Sequence, residues 1–290
     1  MNCEKVSDFI INWLKEQLTK SGQSGFVVGV SGGVDSALVS ILCAKTGILT
    51  YAVSLPINQA EDQLSRATEH IEWLIKNNSN IQGIKIDLTH TNKSFLQDMG
   101  ILNITDLARA NTQSRLRMTA LYAIANCTKS LVTGTGNAVE DGGGPFGGGC
   151  KFFTKYGDGG VDISPISSLL KSEVRELSRF LGILPKLCEA VPTDGLWLDN
   201  RSDESQLGAS YDELEIAMKF ANYWRILVTE NSSAYTIKTV EGTEEEVMEA
   251  FNSLNEREKK VLAIYCARSE AGKHKLEMPP VCKFPGDIKN

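Results

Sequence analysis

Between the apolar run Phe26-Val27-Val28 and a helix-forming segment from Ala37 to Lys45 lies Gly29-Val30-Ser31-Gly32-Gly33-Val34-Asp35-Ser36. A strand that ends on a glycine turn and restarts as a helix directs backbone N–H groups and the positive end of a helix dipole at one spot, which suits a phosphate group. Gly32 and Gly33 let an anion approach the backbone, while Ser31 and Ser36 add hydroxyl donors. The G-x-x-x-x-G-K-[ST] spacing of the common P-loop is absent, and so is a dinucleotide G-x-G-x-x-G in this turn. Instead Asp35 stands inside the turn, where a bare carboxylate repels phosphate unless a divalent cation lies between them. The expected ligand is a metal–nucleotide. Two adjacent glycines alone would equally make an ordinary strand-to-helix turn; six specified positions in a strand–turn–helix context favour phosphate binding.

The flanking pattern extends this into a fold. A first helix over about Val6 to Leu18 places Phe9, Ile10, Trp13 and Leu14 on one stripe. Leu49 to Pro56 reads as a second strand, Glu61 to Lys76 as a helix with Leu64, Ala67, Ile71 and Leu74 inward, and Ile81 to Leu88 as a third strand. A helix from about Asp106 to Asn126 and a strand Ser130 to Thr133 follow. Alternating strands and helices imply an α/β protein with a Rossmann-like parallel sheet flanked by helices and ligands at the carboxyl ends of the strands. The rest reads as mostly helical: Lys171 to Leu181 with Val174, Leu177, Phe180 and Leu181 inward, a polar loop or lid over Val191 to Gly208, and a helix capped by Ser210 and Glu213. Asn231 to Gly242 reads as a polar connection, and capping boxes Thr243/Glu246 and Ser253/Glu256 open the last helices. With neither an internal repeat nor a clean linker, residues 1–290 read as a single domain.

Composition removes several function classes. Net charge is −6 with scattered lysines and arginines, so no basic face for nucleic acid is expected. The seven cysteines include no C-x-x-C and fit reduced thiols in a cytoplasm rather than a zinc site or disulfide frame. The charged N-terminal helix is not a signal peptide, and no apolar run is long enough to cross a membrane.

Other segments carry chemistry. Gly134-Thr135-Gly136-Asn137-Ala138-Val139-Glu140 is a second glycine turn at a strand end, and Glu140 is placed either to share a cation with Asp35 or to be a surface acid. Asn111 and Arg115, four apart, share a helix face from which Arg117 diverges. Asp141 to Cys150 is nearly all glycine and is expected to form a flexible flap. Phe152 to Asp162 mixes aromatics, glycines and charge, as either a ring-stacking surface or a tight turn with core phenylalanines. Lys171 opens a helix, where a cation opposes the dipole and implies an anionic partner.

Taken together, Gly29–Ser36, Asn111-x-x-x-Arg115-x-Arg117-Met118, Gly134-Thr135 with Glu140, Phe152–Asp162, Lys171, Pro192-Thr193, Asp203-Glu204 with Leu207-Gly208, and His274-Lys275 resemble the NAD+ synthetase family of the ATP pyrophosphatase superfamily, whose sheet is of the adenine nucleotide alpha hydrolase type. The first block resembles the superfamily; Thr154–Gly160 is close to diagnostic for the family. The resemblance implies ATP-dependent amidation of deamido-NAD by ammonia through an adenylate, with release of pyrophosphate and AMP. It implies that Gly29, Val30, Ser31, Gly32, Gly33, Val34, Asp35, Ser36, Thr135, Lys171 and Thr193 hold ATP, and that Asp35 and Glu140 hold magnesium. Arg115, Lys155, Asp162, His274 and Lys275 would contact deamido-NAD. Asp158 is the candidate for holding and deprotonating ammonium, with Lys171 beside the reacting phosphate. A Ser–His–Asp set is neither visible nor needed, because the substrate carboxylate is itself the nucleophile. The Asp141–Lys151 stretch is longer than the family's usual spacing. Only 28 residues precede Gly29, so no glutaminase domain is expected ahead of it and free ammonia is the expected donor. By the same resemblance the chain is expected to be a homodimer.

Overall fold

The computed structural model describes residues 1–282 apart from 101, 143–148, 198, 200, 232–233 and 240–242. The first half alternates α1 (Cys3–Ser21), β1 (Gly25–Gly29), α2 (Val34–Lys45), β2 (Thr50–Ser54), α3 (Glu61–Asn77), β3 (Ile81–Lys85), α4 (Thr89–Asp98), α5 (Asp106–Thr128) and β4 (Ser130–Thr133). The second half is largely helical: α6 (Lys171–Phe180), α7 (Pro185–Cys188), α8 (Asp203–Leu207) and α9 (Tyr211–Trp224), a hairpin of β5 (Ile226–Asn231) and β6 (Ala234–Thr239), then α10 (Glu244–Ser253), α11 (Glu256–Ala271) and a short 3-10 turn over Lys273–Lys275.

The four strands of the first half form a parallel sheet in the order β3-β2-β1-β4. Central β1 pairs on both sides, Phe26 lying opposite Thr50 of β2 and Leu131 of β4. The chain leaves β1 toward β2 on one side and returns to β4 on the other, so the strand order reverses at β1. A crevice must open there, at the carboxyl ends of β1 and β4, where the two glycine turns begin. Phe26, Val27 and Val28 are all fully buried, as a parallel strand covered on both faces requires. Phe26 and Val28 join the core shared with α1, α2 and α6, whereas Val27 points to the opposite face, with Val53 and Val132 beneath α5. Helix α2 is buried along almost its whole length, which fixes the direction in which its N-terminus points.

A separate apolar cluster unites α9, α11 and β5 through Tyr211, Leu214, Val228, Val261, Leu262 and Tyr265. Ala138, Val139 and Cys150, which flank the glycine-rich stretch, pack into it. The loop after β4 is thereby anchored to the C-terminal helices.

Several expectations are corrected. Phe9 and Phe180 are 71 % and 55 % exposed. The buried line of α1 is Ile10, Leu14 and Leu18, spaced by four, and Phe9 lies off it. The strands stop short of their expected ends, at Ser54 and Lys85. Asn231–Gly242 is not simply a connection: Ala234–Thr239 pairs antiparallel with β5. The last long helix is capped by Asn255 with Glu258 rather than by Ser253 with Glu256, since Asn255 accepts from the Glu258 N–H at 3.0 Å. Within the Val191–Gly208 segment, Ser202 caps the one-turn helix α8. The expected glycine flap falls mostly on 143–148, outside the described residues.

Candidate active site

The glycine turn is pinned from within and from α3. Ser36 Oγ donates to the Gly33 carbonyl at 3.0 Å and accepts from the Ser31 N–H at 3.2 Å. Gly32 has φ +86°, and a Cβ there would lie 2.5 Å from the Gln63 carbonyl oxygen, so both conformation and space demand glycine. Arg66 Nε donates to the Gly32 carbonyl at 3.2 Å. No side chain caps α2, so the N–H groups of its first turn face the crevice uncapped.

Beside that turn stands a buried charge cluster. Lys171, at the start of α6, is 3 % exposed, and its Nζ lies 2.5 Å from Asp35 Oδ2 and 3.2 Å from Glu140 Oε1. Asn137 Nδ2 donates to the other Asp35 oxygen at 3.1 Å. Tyr211 donates to Glu140 Oε1 at 2.5 Å, while its ring lies beneath the Lys171 ammonium, 4.6 Å from centroid to Nζ. Burial disfavours the Lys171 charge, but Asp35 and Glu140 outweigh it and hold the ammonium above the ordinary lysine range. Burial pushes Glu140 up, Lys171 opposes, and the Asp35 charge adds to the rise. Asp203, 3.3 Å from the Tyr211 hydroxyl, is pushed by burial to about 7, and its Oδ1 has no hydrogen-bond partner.

The opposite side of the crevice is built from α5, the 151–160 segment and the C-terminal turn. Asp158 Oδ1 accepts from Ser114 Oγ at 2.6 Å and from the Thr154 N–H at 3.0 Å. Thr154 Oγ1 donates to Asn111 at 2.8 Å, and Arg115 Nε to the Lys155 carbonyl at 3.3 Å, so the shared helix face of Asn111 and Arg115 grips this segment. Lys155 Nζ donates to the carbonyls of His274 (2.5 Å) and Glu277 (3.1 Å). Lys275 Nζ reaches back to the carbonyls of Lys151 and Phe153, each at 2.7 Å. Each lysine thus grips the backbone of the segment that carries the other.

A cavity of about 790 Å³ runs between the two sides. Gly29 to Ser36, Thr135, Glu140, Lys171 and Thr193 line it, as do Arg115, Lys155, Asp158, His274 and Lys275. Asp162 does not; its carboxylate accepts from the Val132 N–H at 2.8 Å and from the Tyr122 hydroxyl at 3.0 Å, beside β4. Sequence reasoning missed Tyr211, Asn137, Ser114 and Gln59 as parts of the site. Tyr211 stands in the first turn of a helix already noticed for its cap, which carries no hint of a buried hydroxyl.

Two carboxylate oxygens converging on one cationic nitrogen make a seat for a cation, and hard oxygen donors suit magnesium. Among the described residues no three His, Cys, Asp or Glu side chains form a complete metal cage. A magnesium ion held by one or two carboxylates and completed by phosphate oxygens needs none.

A parallel sheet with a phosphate-type glycine turn at its reversal point, a buried lysine between two acids and a long polar cavity define a nucleotide-binding α/β enzyme of the ATP pyrophosphatase type. The family model described as NAD synthase matches residues 6–263. The NH(3)-dependent NAD(+) synthetase of Alkaliphilus oremlandii is 40 % identical over 225 residues, covering 74 % of this chain and 84 % of that protein. The enzyme of the same description from Syntrophomonas wolfei is 31 % identical over the full length of both chains. Among solved structures, the NMN synthetase from Francisella tularensis superposes with a TM-score of 0.77 at 28 % identity, covering 98 % of this chain and all of that one. The chain belongs to the NAD synthase family, whose members are ligases that form a C–N bond in NAD biosynthesis by ATP-dependent amidation of deamido-NAD.

Proposed function

We propose that ATP lies along the glycine-turn side of the cavity and the pyridine acid along the α5 and C-terminal side, so that the pyridine carboxylate attacks the α-phosphorus. Pyrophosphate leaves, ammonia adds to the acyl carbon, and AMP departs with the C–O bond it shared. The observation that carries this reading is the Asp35–Lys171–Glu140 cluster beside the uncapped N-terminus of α2. Backbone N–H groups, Thr135 and Thr193 hold phosphate oxygens, and Lys171 opposes the charge that grows at phosphorus. Magnesium, when held by Asp35 and Glu140, supplies charge neutralisation of the triphosphate. Asp158 holds ammonium and takes its proton through Oδ2, since the two protein donors both go to Oδ1. Arg115, Lys155, His274 and Lys275 bind the acid, Asp162 bracing the base of their segment from β4.

The nitrogen donor in this reading is free ammonia. The compartment is the cytoplasm, in keeping with seven unpaired thiols. The working form is a homodimer, supported by an apolar face on and beside α4 and α5 where Phe95, Leu102 and Leu107 are 49 %, 56 % and 61 % exposed. Likeness to the Francisella NMN synthetase favours a second acceptor, the mononucleotide deamido-NMN, processed by the same chemistry.

One assay tests both. The protein is incubated with ATP, magnesium, ammonium and either deamido-NAD or deamido-NMN, and amide and AMP are quantified together. Equal amounts of both from the dinucleotide support the main reading, preferential turnover of the mononucleotide supports the second, and AMP without amide overturns both.

A further inference from the structure

Arg117 lines the cavity on the α5 side. It lies on α5 one turn after Ser114, the residue that holds Asp158, so the two side chains share a helix face. Its Nε donates to the carbonyl of Leu55, just past the end of β2, at 3.0 Å, and its Nη2 to Gln59 Oε1 at 2.9 Å. Gln59 is oriented in turn by donating to Gln63 at 3.1 Å, and Gln63 is the residue whose backbone fits against Gly32. The guanidinium is therefore fixed in place by partners that are themselves fixed.

Both of those partners are neutral oxygens. A guanidinium carries five N–H donors, and among the described residues Arg117 forms no ion pair with any carboxylate. The acids that act on it, Asp158 and Asp194, do so only through their charge at longer range. Burial lowers Arg117 to about 10, which still leaves it cationic at neutral pH. A desolvated cation without a counter-charge is unfavourable unless a ligand supplies one. The triphosphate already has the glycine turn, the α2 N-terminus and Lys171. Lys155 and Lys275 on the acid side are engaged on main-chain carbonyls, which leaves the carboxylate to be amidated without a cation of its own, and a planar two-oxygen anion matches the guanidinium fork.

We propose that Arg117 binds the carboxylate of the pyridine acid and is the residue by which the protein distinguishes its acid substrate from its amide product. The proposal rests on the amidation reading above. It gives the buried arginine two tasks: it aims one carboxylate oxygen at the α-phosphorus, and it lets go once the group becomes a neutral amide.

The test is an equilibrium one, made without ATP so that nothing turns over. Affinities of wild type, Arg117→Gln and Arg117→Lys are measured calorimetrically for deamido-NAD and for NAD+, with deamido-NMN and NMN run in parallel. Wild type is expected to prefer acid over amide by roughly 10-fold or more, as the loss of a charged bidentate pair implies. Arg117→Gln should lose that preference while its affinity for the amide stays within about 3-fold, and Arg117→Lys, which keeps the charge but not the fork, should fall between. A preference that survives both substitutions overturns the proposal, and equal weakening of acid and amide overturns it in favour of a phosphate contact or a purely structural arginine. If Arg117→Gln does not fold, Arg117→Lys decides alone: an undiminished acid-to-amide ratio sinks the idea. Wild-type turnover, assayed separately, distinguishes the two failures, because a protein that forms amide and AMP but shows no Arg117-dependent discrimination loses only this inference.

Discussion

The hydroxyl of Tyr211 donates to Glu140 at 2.5 Å while the same ring carries the Lys171 ammonium 4.6 Å above its centroid. One side chain from α9 thus holds both the carboxylate and the ammonium of the cluster, and links the C-terminal helices to the loop after β4 and to the start of α6. Tyr211→Phe keeps the ring and deletes the hydroxyl. Glu140 then loses one of the bonds that favours its charged form, on top of a burial that already disfavours it. A fall in stability of roughly 1.5–3 kcal/mol is expected, the range for a hydrogen bond to a charged group. The pH at which activity rises should move upward because Glu140 would ionise later. Thermal melting and a pH–rate profile check this; an unchanged profile removes Tyr211 from the site.

Gly32 and Gly33 are adjacent and equally glycine in the sequence, but they are not equivalent. At Gly32 a Cβ would meet the Gln63 carbonyl at 2.5 Å with φ at +86°, whereas at Gly33 φ is −95° and the nearest atom is Ser31 Oγ at 3.4 Å. Gly32→Ala should weaken ATP binding at least 10-fold, with strain of roughly 1–3 kcal/mol. Gly33→Ala should leave the fold intact and change ATP affinity by less than about 3-fold by this contact alone, since ordinary van der Waals separation needs no rearrangement. Nucleotide titration of the two variants side by side measures the difference.

How much of this was legible beforehand follows from where the specifying residues lie. The glycine turn, Asp35 and Lys171 were readable because turn chemistry, a cation at a helix start and the conflict of a carboxylate with phosphate are local properties of a few residues, whereas Glu140 stayed open between a cation ligand and a surface acid until the family resemblance was added. The β-hairpin was not: Thr236 and Lys238 alternate with Tyr235 and Ile237 across a half-buried surface, and a polar edge pattern of that kind resembles a connection until a partner strand is known. Asn255/Glu258 and Ser253/Glu256 satisfy the same capping pattern two residues apart, but Ser253 is the last residue of α10, and its hydroxyl donates back to the Ala250 carbonyl at 2.7 Å. Tyr211 escaped notice for a different reason, and Arg117 was noticed only as diverging from the Asn111 and Arg115 face and as part of the family motif. Their importance comes from what tertiary packing brings to them across 71 residues, to Glu140, and 62 residues, to Leu55.

His70 is fully buried, its Nε2 lies 2.9 Å from Ser40 Oγ, and its Nδ1 has no partner. Burial lowers it from the ordinary 6.5 to about 4. A histidine with a depressed folded-state value takes up its proton more readily when unfolded. Its stabilising contribution is therefore complete above about 6.5 and is lost as the pH falls from there toward 4, by roughly 3 kcal/mol in total. Asp203, raised to about 7, works in the opposite sense, losing stability as the pH rises from the ordinary carboxylate range. The two trends overlap, so the measurement is a difference: denaturant unfolding of wild type minus His70→Gln, taken from pH 4 to 7.5. The difference should rise with pH and level off near 7; a flat difference would show that His70 does not titrate in this range.

The lysine clasp gives the last expectation. Lys155 and Lys275 both line the cavity, and both ammonium groups are engaged on main-chain carbonyls across the 151–155 segment and the C-terminal turn. A lysine cannot serve two backbone carbonyls and a substrate phosphate or carboxylate with full strength at once, so acid binding must loosen the clasp or share its donors. Lys275→Met removes two of the four bonds without touching the glycine turn. Amide protons of residues 151–155 should then exchange faster by a factor of about 10 or more, the loss of about 1.5 kcal/mol of local protection. ATP affinity, which depends on the other side of the cavity, should change by less than about 2-fold, whereas affinity for deamido-NAD should fall by roughly 10-fold or more through the lost charge. Hydrogen exchange and separate titrations of the two substrates distinguish these effects. Equal losses for ATP and acid would mean that the clasp holds the whole cavity together rather than its acid-binding side.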